Sequence, residues 1–306
     1  MRTLALFIFL MGSSEGLAAT ACTPKLPADP RGVWIPAGEV TLGSKDFYPE
    51  ERPQRTAKVQ GFWIDATEVT NEDFTAFVRA TGYKTVAERK PTAEANKGVP
   101  PEMLVPGSAV FTQPKGLVDL RDPRAWWRYV PGAQWRHPEG PASSLKGRER
   151  FPVVHVVYED ALAYAKWRGR ALPTEAEWEH AARAGHRDRA YIWGDHPTLN
   201  GKPMANSYQG AFPLKDLGED GHTGAAPVGC YPSNDWGLYD MAGNVWEWTQ
   251  DLYPQQPGEF GIIKGGSYLC ALSYCGRYRP AARIPGDRTM GTNHIGFRTV
   301  LRRAAR

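Results

Sequence analysis

Glycine and proline punctuate this chain from end to end, with 32 Gly and 26 Pro spread through 306 residues. Each proline removes a backbone donor, and each glycine weakens the helix or strand it sits in. Breakers at this density confine regular structure to short pieces joined by long ordered loops. Such loops need large side chains to pack against. The 11 Trp, 13 Tyr and 11 Phe supply them, and they suit an irregular, aromatic-packed fold better than a helical bundle. No Ser/Gly linker, low-complexity run, charge block or internal repeat interrupts 31–302. Length alone would suggest about two domains, but the uniform style argues for one α+β domain, irregular and low in secondary structure.

A few elements are legible. Val33–Ile35 and Glu39–Leu42 read as short strands around Pro36-Ala37-Gly38, and Lys58–Asp65, carrying Val59, Phe62 and Ile64, reads as another. Thr70 caps a helix with Phe74, Phe77 and Val78 on one face and Gly82 at its end. Tyr158–Arg168 is a second helix, stopped at Gly169. In the third, Thr174 and Glu177 form a capping box, Trp178, Ala181 and Ala182 share a face, and Gly185 closes it.

Charge and targeting set the compartment. Lys+Arg 37 against Asp+Glu 33 leaves +4, too slight to argue for nucleic acid as a partner. Met1-Arg2-Thr3, the apolar run Leu4–Met11 and the small residues from Gly16 to Ala21 describe a secretory signal peptide over 1–21. A short linker over 22–30 and the domain over 31–303 follow. The apolar run falls short of the ~20 residues that cross a bilayer, and no other stretch looks transmembrane. The expectation is an exported protein, periplasmic or secreted. Ala19-Thr20-Ala21-Cys22 weakly resembles a lipoprotein cleavage box without its usual Leu, so a lipid anchor at Cys22 stands as an alternative.

Four cysteines are too few and oddly placed for a disulfide-stapled exported domain. Cys22 falls at the leader boundary, and Cys230 reads as a lone buried thiol. Cys270 and Cys275 lie in Gly265-Gly266-Ser267-Tyr268-Leu269-Cys270-Ala271-Leu272-Ser273-Tyr274-Cys275. Their spacing permits a local disulfide, whose short loop would gain little entropy. It also permits a metal site. Two thiolates without further ligands are a poor zinc set but suit Cu(I), and Arg277 and Arg279 favour the thiolate form. Spacing alone leaves both readings open. Two polar stretches, Asn206-Ser207 with Gly218–His222 and Asp240 with Gly243, Val245 and Glu247, read first as solvated turns. Their hard oxygen donors would also suit Ca²⁺, though neither is an EF-hand.

At this cysteine loop the chain resembles the formylglycine-generating enzymes, the sulfatase-modifying oxidases, whose fold is related to C-type-lectin-like folds. The resemblance covers nearly all of 31–303. It runs through Ile35-Pro36-Ala37-Gly38, Ala66-Thr67-Glu68-Val69-Thr70-Asn71, Trp135-Arg136-His137-Pro138-Glu139-Gly140-Pro141 and Pro152-Val153-Val154-His155-Val156. It continues in Leu172-Pro173-Thr174-Glu175-Ala176-Glu177-Trp178-Glu179, Gly243-Asn244-Val245-Trp246-Glu247-Trp248 and Gly296-Phe297-Arg298. The Leu-Pro-Thr-Glu and Gly-Asn-x-Trp-Glu-Trp strings mark the broad superfamily. The Trp-Arg-His-Pro-Glu-Gly string and the paired cysteines are more specific to the oxidases.

The resemblance implies an oxidase that uses Cu(I) and O₂, with a thiol reductant. Its substrate would be an unfolded sulfatase, in which the cysteine of a Cys-x-Pro-x-Arg motif becomes Cα-formylglycine. It implies Cys270 and Cys275 as copper ligands, Ser267 as a hydrogen-bonding group at the reaction centre, and Trp178 and Tyr274 as walls of an oxygen pocket. It also implies two structural Ca²⁺ ions. The first would take Asn206, the Ser207 carbonyl, Asp220 and the His222 carbonyl, with Glu68 nearby; the second would take Asp240, the Gly243 and Val245 carbonyls, and Glu247. There are departures: Ala271 replaces the His that often follows the first copper Cys, and His294 stands where some relatives have Asn. The structural disulfide pairs of eukaryotic members are absent, their positions aligning with Ala165 and Thr299, and with Ala182 and Pro280.

The competing reading is a non-catalytic binding or scaffold member of the same superfamily, which the retained cysteine pair disfavours. An iron-dependent sulfoxide synthase needs clustered histidines, and the 7 His here form no close set. No HExxH helix or serine elbow points to a protease.

Overall fold

The computed structural model describes residues 22–94, 97–256 and 258–303; the expected leader lies outside them. Three helices, Asn71–Thr81, Tyr158–Trp167 and Glu175–Arg183, account for the α-helix among the described residues. Their termini follow the local chemistry. Thr70 Oγ1 accepts from the Asp73 N–H, and the Asp73 carboxylate accepts from the Thr70 N–H. Thr174 and Glu177 form the same reciprocal pair. The second helix is capped at Val157, whose N–H donates to the Asp160 carboxylate at 2.9 Å. The third helix ends on Ala184 in the left-handed region, one residue before the Gly185 expected to close it.

The strands are short, as the breakers require. Val33–Ile35 and Val300–Arg302 flank Phe62–Ile64 in a three-stranded antiparallel sheet, which brings the two ends of the domain side by side. Gly38–Leu42 pairs with Arg55–Val59. The single strand expected over Lys58–Asp65 is therefore two, broken at Gln60-Gly61 where the chain leaves one sheet for the other. A four-stranded sheet has the order Arg283–Asp287, Phe260–Lys264, Trp246–Leu252, Ile295–Gly296, with only the last pair parallel.

Aromatic residues hold these small sheets together. One core cluster gathers Phe74, Phe77, Trp135, Tyr164, Trp246, Trp248 and Phe297, and it includes Cys270. A second packs Ile35, Val40, Leu42, Phe62 and Ile64 around Trp178. A third joins Trp126, Tyr208 and Phe212 to Tyr268, Leu269 and Ala271. The cysteine loop thus lies between the first and third clusters.

Cys22 and Cys230 correct the sequence reading. They form a disulfide with Cα atoms 4.6 Å apart across 208 residues of sequence. Cys230 is not a lone thiol. Cys22, its sulfur bonded to Cys230, has no thiol left to carry a lipid. Neither spacing nor composition could pair them, because the partners meet only when the segment before the first strand lies back on the 226–231 loop.

Candidate active site

The cysteine loop starts where the strand Phe260–Lys264 ends. Gly266 has φ 79°, and a Cβ there would sit 2.7 Å from the Tyr278 Cα. Only glycine admits this approach, which lays 267–270 against 275–279. The Cys270 N–H donates to the Ser267 carbonyl at 2.9 Å, and the Cys275 N–H donates to the Ala271 carbonyl at 2.7 Å. The Ser267 N–H points at the Cys270 Sγ at 3.4 Å. The outcome is two free thiols whose sulfurs lie 3.2 Å apart.

The pair is asymmetric. Cys270 is buried and Cys275 is partly exposed. The hydrogen bond from Cys270, then the Arg277 guanidinium 3.7 Å away, bring the Cys275 thiol down to about 7. Burial pushes the Cys270 thiol up. The first thiolate of the pair therefore forms on Cys275.

Arg277 is held by a segment far upstream. Its Nε donates to Glu50 Oε1 at 2.7 Å, and its guanidinium lies 3.6 Å from the centre of the Tyr48 ring. The Tyr48 hydroxyl oxygen accepts from the Gly276 N–H at 3.0 Å. Arg279 is buried, bonds Glu51 through Nη1 at 3.1 Å and stacks on Phe47. Residues 47–51 thus clamp the cysteine loop from outside.

The expected neighbours divide. Ser267 is fully buried within the loop, and its Oγ accepts from the Leu269 N–H at 3.2 Å. Tyr274 stacks on Phe212 with ring centres 4.5 Å apart and lies close enough for the Cys275 charge to raise its hydroxyl pKa, after burial. Trp178 stands at the start of the loop, where a Cβ on Gly265 would meet its Cζ2 at 3.1 Å. It belongs to the second core cluster, and its indole N–H donates to Glu247 Oε2 at 2.8 Å.

The two polar stretches converge. Gly243, at φ 76°, has its Cα against the Asn206 carbonyl, where a Cβ would clash at 2.1 Å. Asn244 joins the stretches: its Oδ1 accepts from Asn206 Nδ2 at 3.0 Å, and its Nδ2 donates to Glu68 Oε1 at 3.1 Å. The buried Asn206 Oδ1 has no partner. Asp220 accepts from the Ser207 N–H at 2.8 Å and from the His222 N–H at 3.0 Å. Nearby, the buried carboxylates of Glu68, Asp240 and Glu247 share one buried guanidinium, Arg298. Arg298 binds Glu247 with two contacts of 2.7 Å. Burial, then the charges of Asp240 and Glu247, push the Glu68 carboxyl well up, and its Oε2 has no partner. Burial likewise raises Asp240 to about 6. Unpartnered buried oxygens beside surplus negative charge are a donor set that fits a hard divalent cation.

A cavity of about 380 Å³ opens beside Leu269, one residue from Cys270. Phe111, Trp135 and Tyr268 give it apolar walls, and Glu139 and Asp216 add acids. Asn71 Oδ1 and Tyr208 Oη, on lining residues, are buried without partners.

A family model described as the sulfatase-modifying factor enzyme 1-like domain matches residues 18–303. The chain belongs to this family. A protein of Mycobacterium tuberculosis named formylglycine-generating enzyme is 48% identical over 287 residues, which is 87% of this chain and 96% of that protein. A mouse protein named inactive C-alpha-formylglycine-generating enzyme 2 is 38% identical, over 88% of this chain and 85% of its own. The solved structure of PvdO from Pseudomonas aeruginosa superposes with a TM-score of 0.61 at 24% identity, covering 93% of this chain and 97% of that one, a likeness of fold. The irregular α+β fold is thus that of the sulfatase-modifying factor family. In this member, sequence reasoning missed the 47–51 clamp. Glu50 and Glu51 precede their arginine partners by 227 and 228 residues, and nothing local marks the pairing.

Proposed function

We propose that this chain is a formylglycine-generating enzyme that uses copper and O₂ to convert a peptidyl cysteine, in a Cys-x-Pro-x-Arg segment of an unfolded sulfatase, to Cα-formylglycine. One observation carries this reading. The chain closes one disulfide, Cys22–Cys230, yet keeps Cys270 and Cys275 unbonded at 3.2 Å in its interior. Paired soft donors kept apart from oxidation suit Cu(I). The same pair favours catalysis over the binding-module alternative.

Bound copper would supply the one-electron and oxygen chemistry that side chains lack. The protein does the positioning. Ser267 sets the Cys270 sulfur through its N–H, and its hydroxyl, already accepting from Leu269, keeps a hydrogen to donate. Arg277 stabilises the thiolate of Cys275, while Tyr274 and Trp178 would supply aromatic walls. The cavity beside Leu269 suits an extended peptide, with apolar surface for the substrate proline and Glu139 and Asp216 for its arginine. Asn71 and Tyr208 offer polar atoms to its backbone. The reaction balances when the cysteine sulfur leaves as sulfide and one oxygen atom enters the aldehyde. The other leaves as water, with two electrons and two protons from a thiol reductant.

The oxygen-rich loops would hold two Ca²⁺ ions. Asn206, the Ser207 carbonyl, Asp220 and the His222 carbonyl serve one, and Asp240, the Gly243 and Val245 carbonyls and Glu247 serve the other, with Glu68 between. The Cys22–Cys230 disulfide suits an oxidising compartment and supports export. The deciding test incubates the copper-loaded protein with a Cys-x-Pro-x-Arg peptide, oxygen and a thiol reductant, and follows peptide mass and aldehyde reactivity. Aldehyde is expected from the parent and none from Cys270→Ala. No product from the parent, or product surviving the substitution, would refute the assignment.

A further inference from the structure

Cys22, His222 and Cys230 meet at one point of the surface. Two sulfurs and an imidazole nitrogen there lie within 4.8 Å of one another, and all three residues are partly exposed. The chemistry proposed above uses none of these side chains; His222 enters it only through its backbone carbonyl. Three separate segments deliver them. The His222 N–H is held by Asp220 Oδ1 at 3.0 Å. Cys230 follows Gly229, whose N–H donates to Asp240 Oδ2 at 2.6 Å. Cys22 arrives on the stretch before the first strand, where Pro24 packs on Gly229 and the Lys25 N–H donates to the Tyr239 hydroxyl oxygen at 3.0 Å. The loops carrying His222 and Cys230 therefore have anchors besides the disulfide.

We propose that reducing the Cys22–Cys230 disulfide opens a Cys₂His site for zinc. A dithiol reductant gives two electrons and two protons, the S–S bond breaks to two thiols, and the reductant leaves as its own disulfide. Zinc then binds both sulfurs and the His222 imidazole, releasing the two thiol protons, and a water takes the fourth position. Two thiolates and one imidazole form a donor set that zinc accepts with one position open. Zn–S bonds of about 2.3 Å at tetrahedral angles put the sulfurs roughly 3.7 Å apart. Cys22 can make that adjustment, because residues 22–27 belong to no helix or strand. While the disulfide is closed both sulfurs are spent, and a single imidazole does not retain the ion. Zinc occupancy at this corner thus follows the thiol redox state around the protein.

The test uses the full chain carrying Cys270→Ser and Cys275→Ser, so that the interior pair takes no metal. Oxidised and reduced samples, freed of reductant without air, are titrated with Co²⁺ as the optical probe and then with Zn²⁺. The reduced protein should bind one equivalent of either ion, with thiolate-to-cobalt charge-transfer absorption and tetrahedral d–d bands. The oxidised protein should bind none there. His222→Gln should keep the thiolate absorption, shift the d–d bands and weaken zinc retention against a chromophoric chelator. Absence of uptake by the reduced protein, equal uptake by the oxidised protein, or uptake unaffected by Cys22→Ser would each overturn the proposal. So would loss of the near-UV circular dichroism on reduction, because the site needs the folded loops.

Discussion

Replacing Arg298 by Leu should be among the most damaging single changes in this protein. Arg298 is fully buried and makes two 2.7 Å contacts with Glu247, which is also fully buried. It also donates to the carbonyls of Asp65 and Ala66 at 3.3 Å and of Tyr239 at 2.9 Å. Removing one partner of a buried ion pair costs about 3–5 kcal/mol, because the surviving charge keeps its desolvation penalty without its compensation. Here the surviving Glu247 charge also lies beside the buried carboxyls of Glu68 and Asp240, so the upper end applies. At roughly 2 °C per kcal/mol for a chain somewhat larger than 250 residues, the midpoint should fall by roughly 6–10 °C. Calorimetry in a calcium chelator would measure it. A double-mutant cycle with Glu247→Leu isolates the pair, and the coupling energy should exceed ~2 kcal/mol even though Trp178 loses its acceptor. Calcium should restore part of the Arg298→Leu loss, since a divalent cation neutralises the same surplus charge. A loss under ~1 kcal/mol would refute the premise that this guanidinium balances the buried carboxylates. A strictly additive cycle, or a loss that calcium leaves unchanged, would do the same.

Three further outcomes follow from the same geometry. Chelation should lower the melting midpoint of the unmutated protein and calcium should restore it; an unchanged midpoint in protein that metal analysis shows to be calcium-loaded beforehand would speak against structural ions. In metal-free protein, Cys275 should alkylate with a midpoint near its pKa of about 7, and Arg277→Gln should move that midpoint upward; mass mapping of labelled peptides against pH reads both. The buried His155 is held neutral, its pKa lowered to about 4 by burial, between the Ser108 hydroxyl and the Pro138 carbonyl. The unfolded chain binds this proton near pH 6.5 and the folded chain does not, so stability should be lost as pH falls from ~6.5 towards 4, by up to ~3 kcal/mol. His155→Asn, which tolerates the left-handed backbone at φ 60°, should flatten that slope in urea titrations.

The helices show what local chemistry settles. Thr70 with Asp73, and Thr174 with Glu177, carry their partners three residues away, so the caps are written in the chain and appear where expected. The short strands and irregular character follow equally directly from the density of breakers. The paired cysteines, Ser267 and the two oxygen-rich stretches are likewise contiguous runs, and family resemblance could assign them roles. Local pattern failed where partners are remote. Lys58–Asp65 alternates like one strand, but its halves pair with different sheets, which alternation cannot reveal.

Tertiary structure alone decided which groups face each other across long separations. It joined Cys22 to Cys230 and set Glu50 and Glu51 on Arg277 and Arg279. It also kept Cys270 and Cys275 unbonded at 3.2 Å, where spacing had left a local disulfide open. The reason is physical: a cap or a tight turn is specified by neighbours within a few residues, whereas a charge clamp, a disulfide or an aromatic wall exists only after distant segments have packed. Composition and motif therefore determined what chemistry this chain can carry, and packing determined which residues carry it.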